Sequence, residues 1–385
     1  MSLFVDDGIG TIFHVYPINK CNYQKVFIEG RTIEITVFDG FFENMMTDHQ
    51  EVACTVIAIG HYIFDVNEWF DINGIITAEN KIKNPIIGVT YYPEFNINLK
   101  SEDLLKAILD EYKDKFQNIN YKQINNRVMN STQELCTNLN YLKKAIADSI
   151  NREYIVYENE ELALNSIIEN PDMKVIISQK RTYEAAEKYK GKRICCLDFA
   201  NNHSIGGSPW TAGAQEESMC RTSTLYPCLC AKEKEFYDKH IQEFDSGKID
   251  SMGNNDLIYI PDVVVFKTDE SIPKLKPETE WFKTDVIVAA APQLGWSYDG
   301  NRYRELMISR IKRILDVAAK EKAEVLILGA FGCGAFHNPP EVVADIFAAL
   351  IKNYNFEIVE FAVFCRNDTT NYDVFKEKLT LDKKA

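Results

Sequence analysis

Apolar residues in the first hundred positions alternate with polar ones or form short runs, a pattern typical of β-strands. Residues 25–28 and 32–38 flank a short turn and predict a β-hairpin. Further β-branched runs follow at 52–64 and 86–92. No long amphipathic helical pattern interrupts these runs, so residues 1–100 are predicted to form a small β-rich N-terminal domain, a barrel or a sandwich.

A helical pattern then begins at Ser101 and places Leu105, Ile108 and Tyr112 on one face. A polar stretch follows this helical pattern, and beyond it the arrangement of apolar and polar residues changes. Residues 101–120 are therefore predicted to be a helical linker between two domains.

From residue 121 onward, helical patterns alternate with short, continuously apolar runs of the kind found in sheets covered on both faces. The predicted strands are residues 174–177, 193–199, 285–290, 324–328 and 357–364. The predicted helices are residues 128–151, 183–189 and 303–322, and one that begins at Pro339 with Asn338 as its N-cap. Residues 121–385 are thus predicted to form a three-layer α/β domain, with helices on both faces of a mixed sheet.

Ligands of such sheets bind beyond the carboxyl ends of the strands, so the loops that follow the predicted strands are candidate binding segments. One such loop contains Gly206-Gly207, and another contains Gly332-Cys333-Gly334-Ala335-Phe336. Glycines at a strand-to-helix junction let backbone N–H groups surround a phosphate, near the positive end of the helix dipole. A tight connection without a ligand is the alternative for each loop.

A third candidate segment is Gln215-Glu216-Glu217. Adjacent carboxylates commonly mark a solvated helix start. In a pocket, however, one carboxyl group beside another has a raised pKa and can act as a general acid near neutral pH.

Taken together, these segments resemble the microbial-type poly(ADP-ribose) glycohydrolases, which are macrodomain proteins marked by three glycines, a spacer and Gln-Glu-Glu. The matching segments are residues 198–201, Gly206-Gly207, residues 215–227, residues 288–292 and residues 329–336. The resemblance covers about residues 121–380 and implies a macrodomain fold for the α/β domain.

The resemblance also implies roles for individual residues. Glu217 would protonate the leaving ribose oxygen and Glu216 would orient the ribose, beside Gln215. Asn201 would contact the distal ribose, with Gly206 and Gly207 passing beneath it. Gly332, Cys333, Gly334 and Ala335 would hold the diphosphate and Phe336 would pack on the distal ribose. Neither a metal nor a cofactor is expected.

The sequence departs from the family pattern at two places. Ile205 stands where the first of the three glycines is expected, and Asp198 stands where the family has asparagine. A β-branched residue resists positive φ, so Ile205 predicts a loop that runs differently or narrows the pocket. The glutamate pair is unaffected by either departure.

Charge and composition limit the kinds of partner that the chain is expected to bind. The formal net charge of −14 argues against bulk attraction to nucleic acid or to anionic lipid. The N-terminus lacks the features of a signal peptide, and no apolar run is long enough for a membrane span, so a cytoplasmic location is expected. Among the ten cysteines, the cluster from Cys195 to Cys230 is spaced more like buried thiols than like a zinc site.

The expected partner is therefore ADP-ribose or poly(ADP-ribose) on modified proteins, and the expected reaction is hydrolysis of the ribose–ribose bond with Glu217 as acid and then base. Three alternatives stay open: a reader that binds without cleaving, a hydrolase of mono-ADP-ribosylated protein or nucleotide, and an N-terminal domain that binds an unknown partner and carries the main function.

Overall fold

We analysed a computed structural model of the chain. It describes strand segments 3–6, 12–28, 31–44, 51–59 and 62–65, and residues 121–162, 170–271, 273–295, 298–366 and 368–380. The chain divides into two compact units, the first comprising Met1–Ser131 with Ser271–Lys274 and the second Thr132–Glu270 with Leu275–Ala385. The predicted strand at 86–92 and the predicted helix from Ser101 lie outside the described residues.

The first unit contains a five-stranded antiparallel sheet with its strands in sequence order. Its strands are β1 (Leu3–Asp6), β2 (Ile12–Ile28), β3 (Arg31–Asn44), β4 (Glu51–Ile59) and β5 (Tyr62–Asp65). Ile28 of β2 pairs with Arg31 of β3, which confirms the predicted hairpin.

The second unit is built on a seven-stranded mixed sheet in the order β6-β9-β10-β8-β11-β12-β7. Its strands are β6 (Tyr154–Val156), β7 (Lys174–Ser178), β8 (Ile194–Phe199), β9 (Leu257–Val265), β10 (Phe282–Ala289), β11 (Val325–Leu328) and β12 (Ile358–Ala362). The five strands from β10 to β7 are parallel, whereas β9 runs antiparallel to β10 and to β6. The carboxyl ends of five strands therefore meet at one edge.

The described helices are α1 (Tyr121–Asn138), α2 (Asn140–Arg152), α3 (Thr182–Glu187), α4 (Gln215–Thr222), α5 (Leu225–Ala231), α6 (Lys239–Asp245), α7 (Gly300–Lys320), α8 (Pro340–Leu350) and α9 (Thr370–Thr380). Helix α1 begins in the first unit and ends in the second, and α2–α9 belong to the second unit. A π-helical turn, Glu233–Asp238, joins α5 to α6, and 3₁₀ turns occupy Glu278–Glu280 and Ile351–Asn353.

Two apolar cores lie on the two faces of the sheet, because successive residues of a strand point to opposite faces. In β8, Cys195 and Leu197 belong to the core that contains α7, α8 and α9. Ile194 and Cys196 belong to the core that contains α3, α4 and α5. The predicted α/β layering, with helices over both faces of a mixed sheet, is confirmed for this unit.

Several predicted elements are corrected by the structure. The helix predicted over 128–151 is two helices, since Leu139 between α1 and α2 has an extended backbone. Asn338 is not an N-cap. Helix α8 begins at Pro340 with Pro339 at the N-cap position, and the Asn338 side chain donates instead to the carbonyls of Pro292 and Gly332.

The cysteines from Cys136 to Cys365 are free thiols. Cys195, Cys196, Cys220 and Cys228 are buried, and burial raises the pKa of each of these thiols. Within the described ranges no three His, Cys, Asp or Glu side chains are grouped so that they could hold a metal ion.

Candidate active site

A cavity of about 410 Å³ lies where the parallel strands end. Its wall is formed by residues that follow β7, β8, β10, β11 and β12. Of the residues singled out in the sequence, those that line this catalytic cavity are Asn201, Gly207, Gln215, Glu216, Glu217, Gly332, Gly334, Ala335 and Phe336. Gly206 and Cys333 are not among its lining residues.

Gln215 fastens the start of α4 to the end of β8. Its side-chain Oε1 accepts the N–H of Phe199 at 2.9 Å, and its Nε2 donates to Leu197 O at 2.9 Å and to Thr182 Oγ1 at 3.0 Å. The amide is thus fully occupied, and it positions Glu216 and Glu217 in the first turn of the helix. The helix dipole favours negative charge at that position.

Glu216 is only 3% exposed. Its Oε2 accepts the N–H of Asn201 at 2.9 Å, while its Oε1 is buried without a hydrogen-bond partner. Burial, together with the neighbouring Asp198, raises the pKa of Glu216 well above its usual range. The protonated form of Glu216 is therefore favoured, and it can offer a hydrogen bond to a ligand hydroxyl.

Asp198 lies beneath this pair and is completely buried. Neither of its carboxyl oxygens has a hydrogen-bond partner. Burial and the charge of Glu217 raise the pKa of Asp198 well above its usual range. The second departure from the family pattern thus adds a third carboxyl group to the site. The expectation that it leaves the glutamate pair unaffected is wrong, because Asp198 adds to burial in raising the pKa of Glu216.

Glu217 is held beside Gly207. Its Oε1 accepts the N–H of Ser208 at 3.2 Å, and its Oε2 has no hydrogen-bond partner among the described residues. A Cβ on Gly207 would lie 2.5 Å from Glu217 Oε1 and 3.2 Å from Glu216 Oε2, and the φ of Gly207 is +66°. Only glycine lets the loop approach both carboxyl groups so closely.

Neither Gly206 nor Ile205 is part of the cavity wall that contains these carboxyl groups. Gly206, with φ +65°, packs against Cys220 and Tyr226. Ile205 is not among the described non-glycine residues with positive φ, and it does not line the catalytic cavity. The expectation that Ile205 narrows this cavity is therefore wrong, since the two positions that need positive φ are the two glycines.

The loop of residues 332–336 presents free backbone donors. The N–H groups of Gly332, Gly334, Ala335 and Phe336 have no acceptor among the described residues, whereas the N–H of Cys333 donates to Ala330 O at 3.1 Å. A Cβ on Gly332 would lie 2.4 Å from Asn338 Nδ2. Asn338 therefore closes this loop from behind, and the free N–H groups form a site suited to an anion.

The structure also brings residues into the cavity that the sequence reasoning missed: Arg181, Thr182, Asp269, Phe364 and Asn371. The guanidinium of Arg181 lies 4.1 Å from the ring centre of Phe364. Buried Asp269 accepts the Ser218 hydroxyl at 2.7 Å. Arg181 and Phe364 follow β7 and β12, so the rule that ligands bind after parallel strands would have found both residues.

The geometry combines an anion site, an aromatic ring beside a guanidinium, and a carboxyl group with one free oxygen. Two neighbouring carboxyl groups are driven toward their neutral forms. Such a cavity can bind a nucleotide diphosphate and donate a proton to an oxygen that leaves a sugar carbon.

The family model of the microbial-type PARG catalytic domain matches residues 53–268, more than half of the chain. No curated protein matches the chain. None of the described helices is long and apolar enough to cross a membrane.

Solved structures share the fold. Poly(ADP-ribose) glycohydrolase (PARG) from Thermomonospora curvata has 23% identity and a TM-score of 0.58, over 66% of this chain and 98% of that chain. The Deinococcus radiodurans enzyme in complex with ADP-ribose has 26% identity and a TM-score of 0.53, over 61% and 96% of the two chains. With its cavity, its glutamate pair and its family match, this chain belongs to the microbial-type poly(ADP-ribose) glycohydrolases.

Proposed function

We propose that the chain releases ADP-ribose from poly(ADP-ribose), with Glu217 as the general acid and then the general base. The free Glu217 Oε2 in the catalytic cavity is the observation that carries this proposal. A complex of the D. radiodurans enzyme with ADP-ribose and one of the T. curvata enzyme with the inhibitor ADP-HPD are known, which supports ADP-ribose as the ligand.

In this proposal the ADP-ribose unit binds with its diphosphate on the N–H groups of Gly332, Gly334 and Ala335. Phe336 packs on the distal ribose, and Asn201 and Gly207 border that ribose. Protonated Glu216 donates a hydrogen bond to a ribose hydroxyl and orients the ring. Gln215 acts indirectly, since its amide is engaged with β8. Cys333 belongs to the same loop, but its N–H donates to Ala330 O and is not free to bind the diphosphate.

The chemical step breaks the bond between the anomeric carbon and the leaving oxygen. Glu217 gives its proton to that oxygen as positive charge develops on the ribose. The Glu217 carboxylate then removes a proton from water, and the resulting hydroxide adds to the anomeric carbon. The proton returns to Glu217 and the products are free ADP-ribose and a chain shortened by one unit.

We propose a domain organisation of a β-rich module over 1–100, a helical linker over 101–120 and a macrodomain over 121–385. The antiparallel sheet of β1–β5 supports the first of these. Because the family match begins at residue 53, this module overlaps the catalytic domain of the family. We further propose that the module binds a partner and that the enzyme acts in the cytoplasm.

The test is hydrolysis of poly(ADP-ribose) by the purified chain and by Glu217→Gln, with ADP-ribose binding to both measured by calorimetry. We expect release by the wild type, a loss of about 100-fold or more in the variant, and retained binding. Glu235→Gln, an exposed acid outside the cavity, is the control. Binding without release by the wild type would instead identify a reader, and absence of binding would refute the proposal.

A further inference from the structure

A second cavity of about 460 Å³ is lined by residues of the loop that carries Gly207. Gly207 lines both cavities, and a Cβ built on it would lie 2.5 Å from Glu217 Oε1. The second cavity therefore begins next to the proposed acid. Its volume lies within the roughly 300–1,000 Å³ that small-molecule sites occupy.

Aromatic side chains form much of the wall of the second cavity. Trp210 packs edge-on against Tyr226, with the ring centres 5.2 Å apart. Trp210 is half-buried, so part of the indole stays open to a ligand. Faces of this kind stack on nucleobases.

The charged side chains that line the second cavity determine which type of ligand it would bind. Its lining contains Glu233 and Asp238 but no Lys or Arg, and neither carboxylate forms an ion pair within the described residues. A diphosphate would be repelled there, whereas a neutral group with an amino donor would be favoured. The catalytic cavity, with Arg181 and free N–H groups, has the opposite preference.

The chemistry of the polymer provides a group of this type. In poly(ADP-ribose), the bond to be cleaved joins the anomeric carbon of the outer unit to the 2′ oxygen of the adenosine in the next unit. Adenosine is thus the first group beyond the leaving oxygen. It is neutral, it has an aromatic base with an exocyclic amine, and its diphosphate is attached at the far side of its ribose.

We propose that the second cavity binds the adenosine of the leaving unit, with its base against Trp210. This inference rests on the proposed function, and it makes the enzyme selective for the polymer over substrates without a leaving adenosine. The carboxylates of Glu233 and Asp238 accept hydrogen bonds from the adenine amine. The diphosphate of the leaving unit stays outside the second cavity.

The experiment compares kcat/KM for two substrates of the full chain: poly(ADP-ribose), and ADP-ribose with a nitrophenol as leaving group on the same anomeric carbon. The second substrate has no leaving adenosine. In Trp210→Ala, the ratio of polymer to nitrophenyl kcat/KM is expected to fall about 10-fold or more, because the stacking surface is lost. Trp210→Phe keeps an aromatic face and should recover most of the ratio.

Two further variants keep the test decisive if Trp210→Ala does not fold. Glu233→Ala is expected to lower the same ratio by a smaller factor, whereas Glu235→Ala, an exposed neighbour outside the cavity, should leave the ratio unchanged. Tyr141→Ala, an exposed aromatic residue on α2, is the control for Trp210.

The outcomes separate this inference from the proposed function. A wild type that cleaves both substrates, with a ratio unchanged in Trp210→Phe, Trp210→Ala and Glu233→Ala, would overturn the adenosine site and leave the hydrolase intact. A wild type that cleaves neither substrate would refute the proposed function and this inference with it.

Discussion

Glu217, the acid in the proposed mechanism, lies beside two carboxyl groups that the protein buries. Asp198 and Glu216 are close enough to interact electrostatically with Glu217, and burial disfavours the charged form of each. A buried, unpaired carboxyl group is costly to a folded protein. The two buried carboxyl groups thus lower the stability of the fold at the place where the proposed mechanism transfers a proton. Shifted pKa values of this kind are common at catalytic sites.

Asp198→Asn is expected to stabilise the protein, and more so as pH rises. The folded-state pKa of Asp198 is raised, whereas the unfolded value is roughly 3.9. Above that value the unfolded chain releases the proton that the folded chain keeps, so wild-type stability falls as pH rises toward the folded pKa, by at most ~1.4 kcal/mol per pH unit. Asp198→Asn has no carboxyl group at this position, so its stability does not fall with rising pH for this reason.

Urea unfolding of both proteins at several pH values measures the difference. The two should be nearly equal in stability near pH 4, and Asp198→Asn should become the more stable as pH rises, by at most ~1.4 kcal/mol for each pH unit. Asp172→Asn, at an exposed position, is the control. A difference that does not depend on pH would contradict the assignment of a retained proton to Asp198.

Gly207→Ala is expected to lower kcat/KM by about 100-fold or more, because the new Cβ would overlap Glu217 Oε1 and displace the acid. Gly191→Ala is a matched control, since Gly191 also has positive φ, +93°, but has nothing within 4 Å of its Cβ position. Backbone strain alone should cost both variants a similar amount of stability. Equal activities of the two variants would show that the close approach of Gly207 to Glu217 is unimportant.

At the scale of the elements, α4 links the acid to the loop above it. Arg221 lies one turn after Glu217, on the same face of the helix. Its buried guanidinium donates to Pro209 O at 2.8 Å and to Ala212 O at 2.7 Å. Burial lowers the pKa of Arg221 to about 10, which leaves it charged at neutral pH. One helix thus carries both Glu217 and the anchor of the loop that contacts it.

Arg221→Lys should loosen this loop, because an ammonium group lacks the fork that reaches two carbonyls. We expect kcat to fall about 10-fold and stability to fall by roughly 1–3 kcal/mol. Hydrogen exchange of residues 204–212 should accelerate in this variant and not in Arg310→Lys, which removes a buried guanidinium that binds other carbonyls. Unchanged exchange in the loop would refute the anchoring role.

The elements were predictable to different degrees. Parallel strands such as β8 and β11 are continuous apolar runs, and their positions followed from that pattern. Strand β9 was missed, since Pro261 and Asp262, which has a φ of 55°, interrupt an otherwise apolar run. The prediction that Asn338 is an N-cap failed because the fold brings the carbonyls of Pro292 and Gly332 near its side chain, which donates hydrogen bonds to them instead.

The residues of the candidate site were also predictable to different degrees, depending on whether the local sequence or the three-dimensional fold places them. Gln215, Glu216 and Glu217 are adjacent in sequence, and the helix start that presents them is local. The unpaired carboxyl group of Asp198 depends on burial, which no spacing reveals. Arg181 and Phe364 come from strands far apart in sequence, and only the order of the sheet places them together.

For the whole molecule, the net charge of −14 sets how a polyanion can be bound. Proteins that hold nucleic acid through 6–10 phosphate contacts lose about 10³–10⁵ in affinity between 50 and 200 mM salt. In the proposed function, one end of the polymer binds to backbone donors in the catalytic cavity, and the net negative charge of the chain disfavours further contacts with its phosphates. We expect KM for poly(ADP-ribose) to change less than about 10-fold over that salt range, measured by release of ADP-ribose. A steep rise in KM would indicate a basic track along the polymer.

The buried thiols have a consequence for chemical durability. Reaction with peroxide or with alkylating agents requires the thiolate, and burial disfavours that form at Cys195, Cys196, Cys220 and Cys228. Even in the loop of residues 332–336, burial raises the pKa of Cys333 to about 12. A cysteine-rich enzyme of this kind should keep turning over under oxidants and electrophiles that silence enzymes with a reactive thiol at their centre.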